Sequence, residues 1–199
     1  MLHLIKHFNT VIKHKWFVLV YGRRLHIFWT ALVHDTSKFS PTEFIRSAKY
    51  YTGVKSPTIT EREDNDGVSW ICLHHSLRNK HHWQAYIDYN KEGMVIAPIN
   101  YRHSVEYVAD IISASRVYNK KLDWTEIVPY FERQKERYLM HPGNKEFVLW
   151  AVIEIRDHGF KSMKKKYMKN KYNEIMAKYS YSVRIPLDKE FFSPTAIKE

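Results

Sequence analysis

Cysteine, glycine and long apolar runs are all scarce in this chain, and each shortage excludes something. Cys72 is the one cysteine in 199 residues. No intramolecular disulfide can form, and zinc sites built from paired thiolates are excluded. Six glycines and seven prolines rule out collagen-like and low-complexity classes. The longest largely apolar stretches, 16–21 and 27–33, fall far short of the ~18 residues that span a bilayer. The opening segment, Met1 to His7, lacks the apolar centre of a signal peptide. A soluble, cytoplasmic protein is the expectation. No GxSxG elbow, phosphate-binding glycine loop or dinucleotide fingerprint is present.

Aromatic residues, in contrast, are abundant at 15%, enough for one domain to bury a substantial core. Basic residues outnumber acidic ones by 32 to 21. The excess is concentrated at the end: residues 160–199 hold 10 Lys/Arg against 4 Asp/Glu, and 161–171 hold six lysines and no acid. Such a balance favours anionic partners, nucleotides or nucleic acid among them.

Hydrophobic periodicity is helical almost throughout. Helices are expected over about 4–21, ended by Gly22, and over 24–35. Another is expected from 41 to 52, where Ser40-Pro41-Thr42-Glu43 forms a capping box. Residues 54–67 read as a loop, 69–77 and 81–90 as helical pieces, and 92–99 as the one place for a short hairpin. Tyr101 to Tyr118, Asp123 to Arg137 and 145–158, capped by Asn144, read as helices. A basic helix over 161–180 and a loose tail over 181–199 follow. The expected class is all-α, with a helical domain over 1–159 and a basic C-terminal extension over 160–199. The stripe Met168, Tyr172, Ile175, Met176 and Tyr179 suits docking on the domain itself or on a second copy in a homodimer.

The twelve histidines are the chemical signal, because they cluster. His34-Asp35 closes an apolar helix. His14 lies on the preceding helix, at similar depth in an antiparallel pair, so the two imidazoles can face each other. His74-His75 and His81-His82 follow. Asp110 sits on a helix that is apolar nearly all round, and such a helix is buried. Its carboxylate then needs a cation as partner, since an unpaired buried charge costs several kcal/mol. A metal ion meets that need and also employs the histidines.

The segment Leu32-Val33-His34-Asp35-Thr36-Ser37-Lys38, with a His upstream and an Asp downstream, resembles the second motif of the HD-domain metal-dependent phosphohydrolase superfamily. Ser37 stands where that motif usually has Gly. The run from His34 to Phe44, with His74 to Trp83, also closely resembles a small bacterial and phage family. The likeness covers about residues 1–120, more weakly to 159. It implies an HD-like helical bundle in which His14, His34, Asp35 and Asp110 are the core metal ligands. His75 and His82 would be added ligands of a two-ion site, with His74 and His81 as rivals. One or two divalent transition ions (Mn, Fe, Co, Ni or Zn) suit such donors. Asp35 and Lys38 would be catalytic, and Lys38, Arg78 and Asn79 would hold a phosphorylated substrate, a nucleotide by preference. Glu43 is accounted for by capping alone. The alternatives are a di-iron oxygenase and a nucleic-acid-binding protein with a structural metal, contacting the polymer through 161–171.

Overall fold

A computed structural model describes residues 2–91 and 93–186. Helix α1 (Leu2–Arg24) is followed by α2 (Phe28–Val33), a 3-10 turn at Thr36–Phe39, and α3 (Pro41–Lys49). Then come α4 (Pro57–Asp64), α5 (Trp70–Arg78) and a second 3-10 turn at Trp83–Tyr86. Strands β1 (Ile87–Asn90) and β2 (Gly93–Ile96) form a hairpin. Helices α6 (Tyr101–Tyr118), α7 (Trp124–Lys135), α8 (Pro142–His158) and α9 (Lys165–Met176) precede β3 (Val183–Pro186). β3 pairs antiparallel with β2, giving the sheet order β1-β2-β3.

The chain is mostly helical, and the hairpin expected near 92–99 catches β2 but not β1, which lies upstream, nor β3. Its strands are four residues each, too short for alternation to stand out, and β3 comes from the stretch read as tail. The rest of that tail, 187–199, lies outside the described residues. Residues 81–90 are a 3-10 turn and a strand, and α4 occupies the expected loop. There Pro57 takes the first helical position after Ser56, so the proline within the expected loop is a helix start.

The buried stripe of α1 runs through His7, Val11, His14, Val18 and Tyr21, at spacings of four and three. Leu4, Ile5, Phe8, Ile12 and Trp16 face outward. This helix therefore buries two imidazoles where an ordinary core helix buries leucine. It packs most extensively on α6, and also on α2 and α3. Gly22 does not end α1. It lies within the last turn, where a Cβ would sit 2.4 Å from the Cβ of Ala31, so glycine is what lets α2 close on α1. Helix α6 passes between α1 and α8, with Val105, Val108, Ala109 and Ile112 at 1% exposure or less. Met163, Met168 and Ile175 join the same buried cluster, so the core continues past residue 159.

Asn144 is not a cap. His141 caps α8, and Asn144 lies inside that helix, fully buried. Its Nδ2 donates to the carbonyl of Ile99 at 2.8 Å and to Ser104 Oγ at 2.9 Å, while its Oδ1 accepts from the Ile99 amide at 2.9 Å. It thus holds the chain entering α6. Asn144→Ala strands these buried groups and is expected to cost about 3 kcal/mol. Thermal denaturation should show a fall in Tm of roughly 10 °C.

Candidate metal centre

Helix α2 ends at Val33, and the chain turns sharply. His34 is extended and Asp35 is left-handed at φ 52°, a conformation rare outside glycine, asparagine and aspartate. The expected helix to residue 35 would have splayed the two side chains about 100° apart. The turn instead buries both, at 1% and 2% exposure. His14 arrives from α1 and Asp110 from α6. His75 comes from α5, and His81 and His82 from the connection that follows it.

Two sets of donors converge on Asp35. Its Oδ2 lies 3.1 Å from His34 Nε2 and 3.9 Å from His14 Nε2. Asp110 Oδ1 completes that set, 3.0 Å from His14 Nε2 and 3.4 Å from His34 Nε2. The other oxygen, Oδ1, lies 3.4 Å from His75 Nε2 and 3.6 Å from His81 Nε2, with His82 as the fourth member. Atoms that bind one ion are separated by at most two bond lengths, about 4.4 Å. All six distances lie within that limit.

The Nε2 atoms of His14, His34, His81 and His82, and both Asp35 oxygens, are buried and make no well-aligned hydrogen bond, although Lys38 Nζ lies 2.6 Å from Asp35 Oδ2 and Asp110 Oδ1 3.0 Å from His14 Nε2. Orphaned polar atoms are rare in protein interiors and costly. Here they share one small volume, and these buried groups could hold a metal ion. The donor set, imidazole and carboxylate with no thiolate, suits a first-row divalent ion.

Behind the donors stand two carboxylates that orient the rings. Glu106, one turn before Asp110, accepts from His34 Nδ1 at 2.9 Å and His103 Nδ1 at 2.8 Å, and lies 3.4 Å from His81 Nδ1. With Nδ1 engaged, Nε2 of His34 and His81 faces the cluster, the arrangement that fixes a metal-binding tautomer. Glu43 does the same for His75, 2.8 Å from its Nδ1. The capping assignment for Glu43 is therefore half right. Its amide donates to Ser40 Oγ, but its carboxylate turns inward, 1% exposed, to His75, His74 and Ser37.

Between the rival histidines the structure divides unevenly. His75 enters the cluster while His74 is held at its edge by Glu43. His81 and His82 both enter. Asn79, expected at the substrate, instead donates to Ser37 Oγ and the His75 carbonyl, both at 2.8 Å, and steadies the cluster. Arg78 is not brought in: its side chain is exposed at the end of α5. Nor does it pair with Glu61 or Glu63, which are engaged by Arg46 and Lys55. Lys38 is at the site, its Nζ 2.6 Å from Asp35 Oδ2. The roles of Glu43 and Glu106 were missed. Glu106 left a signal, sharing a helix face with His103 and Asp110, whereas Glu43 was masked by a complete capping motif.

Burial opposes the Asp35 carboxylate, but His34, His75 and Lys38 outweigh it and hold the carboxyl well below the usual range. Burial likewise opposes a charged His34, yet Asp35, Asp110 and Glu106 raise its pKa well above the ordinary value. These neighbours favour a proton on the metal-free His34 imidazole, which an ion must displace. Metal affinity should rise with pH, up to tenfold per unit for each proton released. Calorimetry in buffers of different ionisation enthalpy should register proton release on binding.

No helix among the described residues is long and apolar enough to cross a membrane. Neither a curated protein nor a solved structure matches the chain. One family model does, over residues 3–154, a span that contains every donor in the cluster, and the chain belongs to that family, a family of unknown function (DUF5662).

Proposed function

We propose that the protein is a metal-dependent phosphohydrolase acting on a nucleotide or a related small phosphate ester or anhydride. One observation carries the reading: buried Asp35 directs its two oxygens to two separate sets of imidazoles, with an ammonium beside it. The resemblance of residues 32–38 to the HD-superfamily motif supports it. Two divalent ions (Mn, Fe, Co, Ni or Zn) suit the donors. A bound ion there supplies Lewis acidity to a phosphoryl oxygen and lowers the pKa of water towards ~7.

The chain's own groups do the rest. Burial opposes the Lys38 ammonium, but Asp35 and Asp110 outweigh it and keep the group charged. Its side chain is 28% exposed and that of Asp110 is 16%, so these two mark an open side of the cluster, in which His82 is the one other half-buried donor. A phosphate entering there meets Lys38 first and draws it from Asp35, and the ammonium then offsets charge building on the phosphoryl oxygens. The fixed imidazoles, held at Nδ1 by Glu106 and Glu43, keep donor geometry constant through the reaction.

The test is a screen of nucleotides, cyclic nucleotides and dinucleotide polyphosphates with manganese or cobalt, on protein of measured metal content. Lys38→Ala should lower kcat/KM by about 10-fold or more with metal content unchanged. Two bound irons, oxygen consumption with an organic substrate and no phosphate release would replace this reading with a di-iron oxygenase.

A further inference from the structure

A second feature lies well away from the metal centre. Arg24 is ten residues from His14 along α1, about 15 Å by helical rise. There the turn leaving α1 meets the turn from α8 to α9, and a cleft of about 700 Å³ opens between them. Arg24, His26, His158, Lys161 and Lys164 line it together with Gly159, Phe160 and Met163, and no carboxylate among the described residues does. The adjacent acids are engaged: Asp157 pairs with Arg156, and Glu154 lies 3.4 Å from His158.

The walls are built. Gly159 has φ +72° with open space where a Cβ would stand, so backbone conformation rather than room calls for glycine there. His26 is also at positive φ, 61°. Phe160 forms the floor, stacked on Tyr21 at 5.2 Å with rings 3° from parallel, and the Arg24 guanidinium lies 5.3 Å from its centroid. The arginine is thus steadied by a ring and, among the described residues, has no carboxylate of its own.

The charge continues beyond the cleft. Lys165, Lys166 and Lys169 are exposed on the first turns of α9, with Tyr167 exposed among them. Further along the helix the pattern changes, and Lys171 and Lys178 are paired with Glu174 and Glu146. Among the described residues, the α9 lysines without a carboxylate partner are therefore confined to the end that adjoins the cleft. Lys164, Lys165 and Lys166 stand at the positive end of the helix dipole, an unfavourable arrangement that an anion between them would relieve. A single phosphate would fill the cleft and leave the α9 lysines unused. A chain of phosphates uses both.

We propose that this cleft and the adjoining face of α9 bind the phosphodiester backbone of a single-stranded nucleic acid, with Tyr167 available to stack on a base. Backbone tracking by cations with interleaved aromatics is the usual chemistry of such surfaces. The proposal does not depend on the activity proposed for the metal centre.

The full chain, loaded with metal, is titrated against a fluorescent oligothymidylate while anisotropy is followed over a range of salt. The triple variant Arg24→Ala/Lys161→Ala/Lys164→Ala should weaken binding at least tenfold. Losing about three contacts should also flatten the slope of log affinity against log salt by about 2. Lys165→Ala/Lys169→Ala should weaken it further, and Lys121→Ala, an exposed lysine elsewhere, should change nothing. Circular dichroism and metal content, unchanged in all variants, exclude misfolding. Absence of oligonucleotide binding at low salt, equal affinity of the triple variant, or binding of inorganic phosphate or anionic vesicles alone would overturn the proposal.

Discussion

Replacing Asp35 should empty both donor sets at once. Each of its oxygens serves a different set, so Asp35→Ala removes a donor from the His14/His34/Asp110 group and from the His75/His81/His82 group together. Metal analysis should fall from about two ions per chain to near zero, and hydrolysis should vanish with it. His82→Ala reaches only one set and should leave about one ion. Helical content should survive, because the core is built from aliphatic and aromatic residues on α1, α6 and α8. Thermal stability should drop, since bound metal stabilises the fold by mass action. Asp35→Asn keeps a residue that tolerates the left-handed turn, and so separates backbone strain from lost ligation. Full metal content in Asp35→Ala would mean that the ions bind elsewhere.

Removing Glu106 should cut metal affinity by about 10- to 100-fold, although it need not touch an ion. Its carboxylate holds His34 and His103 and lies near His81, at 5% exposure. Glu106→Ala leaves those Nδ1 atoms without their acceptor and frees the rings to turn. Competition with a chromogenic chelator should show both ions weakened, because His34 stands in the set with His14 and His81 in the set with His75, and the two rings also share a third group of donors with Glu106. Glu43→Ala should weaken only one, since among the donors Glu43 touches His75 alone. Breaking a buried ionic network is also destabilising, by about 3–5 kcal/mol, so chemical denaturation should show the larger stability loss for Glu106→Ala. Equal affinity in wild type and Glu106→Ala would leave the carboxylate as packing only.

The histidines and Asp110 were legible because of where they stand. Asp110 lies on a helix apolar on nearly every side, and a carboxylate there requires a cation. His14 and His34 lie at matched depths about a short connection, which brings them together in any antiparallel pair. The long helices were legible for the same reason: over eighteen residues of α6 the 3.6 period has room to declare itself. Four-residue strands offer no such run, and the partner of β2 lies about ninety residues away in β3.

What the sequence determined by itself is therefore the helical class, the long elements, the basic end and a set of metal-binding residue types ordered along the chain. Tertiary structure alone decided which of them meet. It chose His75 over His74 and admitted both His81 and His82, because neighbours on a turn differ only in direction, and direction is set by what packs against them. It made Glu43 a support for His75 as well as part of a cap, and tied Asn79 to Ser37 and His75. It also brought Arg24 and His26 to the lysines of the α8–α9 turn, more than 130 positions away in the chain. Local pattern specifies the period of an element and its buried face, whereas a site is made where several such faces coincide.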